Sequence, residues 1–179
     1  MSSEAPLEQT EHGLVPAGEG WFVLNARDAR WLDRPGRGLR CSFEGERPFA
    51  QLGFGLFVLD PGEPIGLYHR EAGEEDFLVL EGEAVLIVEG EGRPLTRWDF
   101  VHCPPRAGHM IVGAGEGRCV VLAVGSRVGY PAPDWISYPV DATALRHGAG
   151  AERETSDVAE AYARFPAPRP TRFREGSLP

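Results

Sequence analysis

An antiparallel all-β fold, of the sandwich, barrel or jelly-roll kind, is predicted for this 179-residue chain by three observations. Short apolar runs follow one another from Pro48 to Val128 without a helical period of apolar residues. Glycine-bearing acidic segments (EGE, EGEG, AGEG) separate several of these runs and supply hairpin turns. Glycine (23) and proline (16) are abundant, as tight turns between short strands require.

Taken in order, residues 1–19 are polar and read as a flexible tail. WFVLN (Trp21–Asn25) predicts a first strand, ARDARWLD a helical turn stopped by Pro35, and GLRCSFEG a further strand. In the run 49–60, Leu52, Phe54, Leu56 and Val58 share one face, with Gln51, Gly53 and Gly55 on the other. LYHRE, DFLVLEG, EAVLIVEG, RPLTRWDFVHC, HMIVGAG and RCVVLAVGS complete a body of roughly eight strands. Beyond Val128 the pattern is proline-punctuated. ATALRHG reads as a helical turn ended by Gly148, and TSDVAEAYARF as a short helix capped by Thr155 or Ser156. The closing PAPRPTRFREGSLP is expected to be extended or disordered. The division is thus a tail over 1–19, a β-domain over 20–128 and a proline-rich extension with a short helix over 129–179.

Composition excludes several functions. A formal charge of −9 argues against nucleic-acid binding, which needs clustered positive charge. No apolar run approaches the roughly 20 residues of a membrane span. MSSEAPLEQTEHG has neither the basic patch nor the apolar core of a signal peptide, so a cytoplasmic protein is expected. Cys41, Cys103 and Cys119 form no CxxC pair, each lies in an apolar run, and they read as buried reduced thiols. There is no lysine, which excludes Schiff-base chemistry, lysine-bound pyridoxal phosphate and a P-loop.

The segment from Pro61 to His109 carries the chemistry. With LYHRE as a strand, His69 and Glu71 point to one face about 7 Å apart, while Tyr68 and Arg70 point to the other. Glu75 opens the next strand and reaches the same point if its face is the one His69 uses. His109 opens the strand HMIVG and closes the set if that strand pairs nearby. Two imidazoles and two carboxylates suit one divalent ion such as Zn, Mn, Fe, Ni or Co. Two carboxylates also neutralise the charge of that ion, which lowers the cost of holding it inside a barrel. Glu71 has further roles open to it: a general base beside the metal, or the partner of an arginine such as Arg106. His102 alternates with Val101 and Cys103 and therefore points outward. His12 and His147 lie in terminal segments, and Trp21, Trp31, Trp98 and Trp135 read as packing residues.

These residues resemble the two motifs of the cupin superfamily. Gly62, His69-Arg70-Glu71, Glu75 and Gly82 follow its first motif, and EDFLVLEG is similar to the strand within it. Asp99, Pro104 and His109 follow the second. The chain departs from the pattern at Glu71, which replaces a histidine, and at Trp98 and Arg106, which replace glycines. The resemblance covers roughly residues 50–125 and implies a cupin jelly-roll (double-stranded β-helix) barrel with an N-terminal strand extension and a short C-terminal helix. It implies one metal ion held by His69, Glu75, His109 and Glu71, and a homodimer. Expected functions are metal-assisted isomerase- or lyase-like chemistry on a small polar or carboxylate-containing substrate, an iron-dependent dioxygenase, or a non-enzymatic small-molecule or metal-binding module.

Overall fold

In the computed structural model, which describes residues 3–179, fourteen short strands and two short helices form a two-sheet sandwich with segments packed on both outer faces. The strands are β1 (Leu7–Thr10), β2 (Gly13–Pro16), β3 (Trp31–Asp33), β4 (Leu39–Cys41), β5 (Leu52–Leu59), β6 (Arg70–Glu71) and β7 (Glu75–Glu81). They continue with β8 (Glu83–Val88), β9 (Glu91–Thr96), β10 (Phe100–Cys103), β11 (His109–Ala114), β12 (Cys119–Ser126), β13 (Ile136–Ser137) and β14 (Arg169–Thr171). Helices α1 (Ala142–Arg146) and α2 (Val158–Ala161) lie in the C-terminal segment. All ladders are antiparallel.

The larger sheet has the order β10-β7-β12-β5-β4-β3-β14, and the smaller one β11-β8-β9. The two are not joined into a continuous hydrogen-bonded cylinder. Their inner faces enclose Phe57, Leu59, Phe77, Val79, Leu86, Ile111 and Val121, the core of a jelly roll.

Both outer faces are covered too, so the strand sequences read as apolar runs rather than polar–apolar alternation. Outside the large sheet, Trp31, Cys41, Val58 and Val120 pack with Phe173 and Leu178 from the C-terminal end. Outside the small sheet, Ile87, Met110 and Val112 pack against Ala144 and Ala149.

Several sequence expectations are corrected here. The 49–60 strand turns Phe57 and Leu59 into the sandwich core, while Leu56 and Val58 join the outer cluster. The face that looked polar is therefore the inner one, and Gly55 leaves room for the Phe57 ring beside it. Residues 7–16 form a hairpin, not a flexible tail, and Ala5 and Val15 are buried. Trp21–Asn25 is no strand: Trp21 makes a single bridge to Glu4, and the strand lies at Trp31–Asp33, where a helical turn was expected. The C-terminal end is extended, since β14 pairs with β3. Helix α2 is capped by Asp157, whose carboxylate accepts from Ala159 and Glu160 N–H, not by Thr155 or Ser156. Trp31 is fully buried and packs as expected, whereas Trp21 and Trp98 are exposed.

Candidate metal centre

Three strand beginnings converge inside one end of the sandwich. His69 immediately precedes β6, Glu75 opens β7 and His109 opens β11. His69 and His109 form an antiparallel bridge, each donating its backbone N–H to the other's carbonyl at 3.3 and 3.1 Å. The bridge holds the two ring centroids 4.8 Å apart. Glu75 enters from the opposite sheet, paired in register with Cys103 and Gly125. At Gly125 a β-carbon would stand 3.1 Å from Glu75 Oε1, so glycine there keeps space for the carboxylate.

The donor atoms point at one another. Glu75 Oε2 lies 3.0 Å from His69 Nε2 and 2.9 Å from His109 Nε2. Each ring is fixed from behind by a backbone carbonyl: His69 Nδ1–H donates to Leu67 O (2.8 Å) and His109 Nδ1–H to Ala107 O (3.0 Å). That arrangement commits both Nε2 atoms to the centre and is the usual outer support of a metal-binding histidine. One ligand atom from each of His69, Glu75 and His109 falls within 4.8 Å of the others. Two imidazoles and one carboxylate fit a divalent transition metal in both type and direction.

Without a metal the Nε2 atoms face a carboxylate and are protonated. Burial alone would lower the His69 pKa, but hydrogen bonds to Glu71 and Glu75 outweigh it and push it up to about 10. For His109 burial is likewise outweighed, by hydrogen bonds to Cys103 and Glu75, and the value rises to about 9. Burial would raise the Glu75 value, but the two imidazolium partners hold it well below the usual carboxylate range.

Glu71 arrives beside this set rather than within it. Its Oε1 is 3.3 Å from His69 Nε2, and its side chain is largely buried. It does not pair with Arg106: only the backbone N–H of Arg106 meets Glu71, at the carbonyl, and the guanidinium turns to Asp134. His102 points outward and meets Asp76 at 2.7 Å, as strand alternation required. Cys41, Cys103 and Cys119 are buried free thiols.

A cavity of about 460 Å³ opens above the centre, and a second lobe of about 450 Å³ adjoins it. The lobes share Arg40, Phe57, Glu71, Glu75 and Trp135. Sequence reasoning missed Arg40. It alternates with buried Leu39 and Cys41 on β4 and faces inward with its register partner Phe57. The apolar–arginine–apolar pattern of GLRCSFEG was the available signal.

No functionally curated protein is significantly similar in sequence to the chain. Among solved structures it is similar to a candidate sugar phosphate isomerase from Acidithiobacillus ferrooxidans, with 32% identity and a TM-score of 0.45 over 52% of this chain and 62% of that one. The match thus spans less than two thirds of that neighbour. A sugar phosphate isomerase of the cupin superfamily from Silicibacter pomeroyi shows 25% identity and a TM-score of 0.46 over 66% of this chain and 74% of that one. A predicted oxalate decarboxylase from Thermotoga maritima shows 28% identity and a TM-score of 0.39 over 41% and 64%. Residues 55–125, from β5 into β12 and including all four candidate ligands, match the cupin domain model. That segment is a cupin domain.

Proposed function

We propose that this cupin barrel holds one divalent transition metal through His69, Glu75 and His109, and acts on a small polar or carboxylate-containing substrate in an isomerase- or lyase-like reaction. The observation that carries the reading is the convergence of both Nε2 atoms on Glu75, with both Nδ1 atoms tied to backbone carbonyls. When bound, such an ion supplies Lewis-acid polarisation of a carbonyl or hydroxyl. Glu71 lines both lobes beside His69 and is placed to take a proton at its carboxylate from a substrate in the cavity, or to complete the ligand set. Phe57 and Trp135 supply apolar walls that limit water around the reacting group.

A second reading has its own observation. Glu71 lies outside the tight three-atom set, which leaves a two-histidine, one-carboxylate centre of the kind non-haem iron oxygenases use. Metal analysis of chain purified without added metal separates the two. Zn, Mn, Ni or Co without oxygen consumption supports the first reading, and iron with oxygen consumption supports the second. No metal in the purified chain and none taken up on titration overturns both. Glu71→Gln then assigns that residue: metal kept and turnover lost makes it the base, metal lost makes it a ligand.

The three buried free thiols fit a reducing, cytoplasmic setting. We also propose a homodimer, supported by Trp98 and Phe100 standing 62 and 65% exposed at the free edge formed by β10. A monomeric mass by light scattering removes it.

A further inference from the structure

The second lobe of the cavity has a chemical character that the metal reading does not use. Arg34, Arg37 and Arg40, on and between β3 and β4, all line it. Arg34 and Arg37 are buried, yet no carboxylate lies within ion-pair distance of any of the three among the described residues. The Nε of each is buried without a hydrogen-bond partner. Aromatic faces hold them instead: Arg34 lies 4.8 Å and Arg40 5.6 Å from the Phe57 ring centroid, and Arg37 lies 4.8 Å from both Tyr162 and Phe165.

The three differ in what their donors do. Arg34 spends its terminal nitrogens on the carbonyls of Ile65 (2.8 Å) and Arg37, and its own carbonyl accepts from Arg37 N–H. It is a brace. Arg37 and Arg40 donate no side-chain hydrogen bond to any described protein acceptor, and Arg40 faces both lobes next to Glu71 and Glu75. Those two glutamates are the only acidic residues lining the second lobe, so three guanidiniums leave it net positive before any metal is added. Guanidiniums keep their charge, and burying them unpaired is costly. Burial pulls the Arg37 and Arg40 values below the ordinary one, in keeping with a stored cost.

We propose that Arg40 and Arg37 form an oxyanion-recognition wall for a phosphate or carboxylate group of the substrate, with Arg34 as the positioning residue that braces Arg37. Planar guanidinium forks match either oxyanion bidentately. The substrate class is then a small molecule anionic at one end, with a hydroxyl or carbonyl reaching the His69–Glu75–His109 centre. The orientation of that molecule rests on the metal reading; the anion wall itself does not.

Calorimetric titration of the full-length chain, with and without Mn(II), tests it with two probes: inorganic phosphate and succinate. Wild type is expected to bind one of them in both states, and the preferred probe tells a phosphorylated substrate from a carboxylate one. Arg40→Met and Arg37→Met are each expected to weaken that binding about tenfold or more while Mn(II) uptake is unchanged. Exposed Arg93→Met is expected to leave both unchanged. Replacing an unpaired buried cation with a similar apolar chain should also leave the ligand-free melting temperature unchanged or raised. Wild type binding neither probe at millimolar concentration overturns the proposal, as do variants that bind no more weakly than wild type. A steep fall in melting temperature for both variants overturns it as well, since the arginines would then be structural. Failure of Mn(II) uptake alone would sink the metal reading and leave the wall standing.

Discussion

His69 and His109 exchange backbone hydrogen bonds across a single antiparallel bridge, and their rings face each other 4.8 Å apart. A bridge at that point fixes both imidazoles through the main chain, so little side-chain ordering remains when a metal arrives. The protons on both Nε2 atoms must leave first, because both histidine values are raised, to about 10 and about 9. Metal uptake at neutral pH is therefore expected to release about two protons per ion. Calorimetry in buffers of different ionisation enthalpy counts them. Uptake with no proton release would show that the imidazoles are neutral in the metal-free chain.

The same shifts fix the pH dependence of the metal-free fold. A histidine value raised above the usual 6.5 gives stability that is fully present below that value and lost as pH rises through the folded one. A depressed Glu75 value gives stability present above the ordinary carboxylate range and lost as pH falls through its folded value. The melting temperature of EDTA-treated chain should accordingly fall as pH rises from about 6.5 and level off above about 9 to 10. Metal affinity should move the opposite way, strengthening from neutral pH upward as protons cease to compete. A flat melting profile over that window would remove the imidazolium–carboxylate cluster.

Glu75 and Glu71 are expected to differ in metal binding. Glu75 Oε2 touches both Nε2 atoms, whereas Glu71 reaches only His69, at 3.3 Å. Glu75→Gln should weaken Mn(II) binding by well over tenfold, because it removes the one carboxylate shared by both imidazoles. With Glu71 acting as the base, Glu71→Gln should cost much less affinity and show its effect in turnover. Dissociation constants from competition with a chelating dye check this. Equal losses in the two variants would make Glu71 a full ligand.

The candidate cluster of His69, Glu75 and His109 was legible in the sequence because motif spacing, and the alternation around His69, are local. His69 and Glu75 sit on the two sides of one turn, and His109 is placed by its position in the second motif, since HMIVG is apolar throughout and has no alternation to set its phase. Other features depend on contacts far apart in the chain. Alternation in the 49–60 strand points the wrong face inward because the C-terminal residues Phe173 and Leu178 cover the outer face, so both faces carry apolar residues. Residues 7–16 look polar enough for a tail, yet they pair with each other, and Leu14 also bridges to Ala29. The Leu39-Arg40-Cys41 alternation sets Arg40 apart on one strand face, but nothing in GLRCSFEG tells that this face looks into the cavity.

Gly82 tests whether a motif residue is there for shape alone. It follows β7 with φ of +73°, and a β-carbon on it would stand 2.2 Å from the Arg118 carbonyl oxygen. A side chain would meet both an unfavourable backbone conformation and a fixed main-chain atom in the approach to β12. Gly82→Ala is expected to destabilise the chain by about 1–3 kcal/mol, read from urea unfolding. A change within experimental error would mean that the turn relaxes and the glycine is dispensable.

Trp31 separates stability from the site. It is fully buried outside the large sheet, donates Nε1–H to the Ala26 carbonyl at 2.8 Å and packs on Phe173 with ring centroids 6.0 Å apart. The N-terminal part, β4 and the C-terminal end meet at this one side chain, while no metal-site residue belongs to its cluster. Trp31→Ala opens a cavity that three separate chain segments would have to close together, so a cost of about 3–5 kcal/mol is expected. Urea unfolding monitored by far-UV circular dichroism measures it. At low temperature, where the variant remains folded, Mn(II) affinity should match wild type, because the side chains that form the centre lie on the inner side of the large sheet and Trp31 packs on its outer face. A variant that keeps its stability but loses metal would mean that the outer clasp sets the position of the ligands.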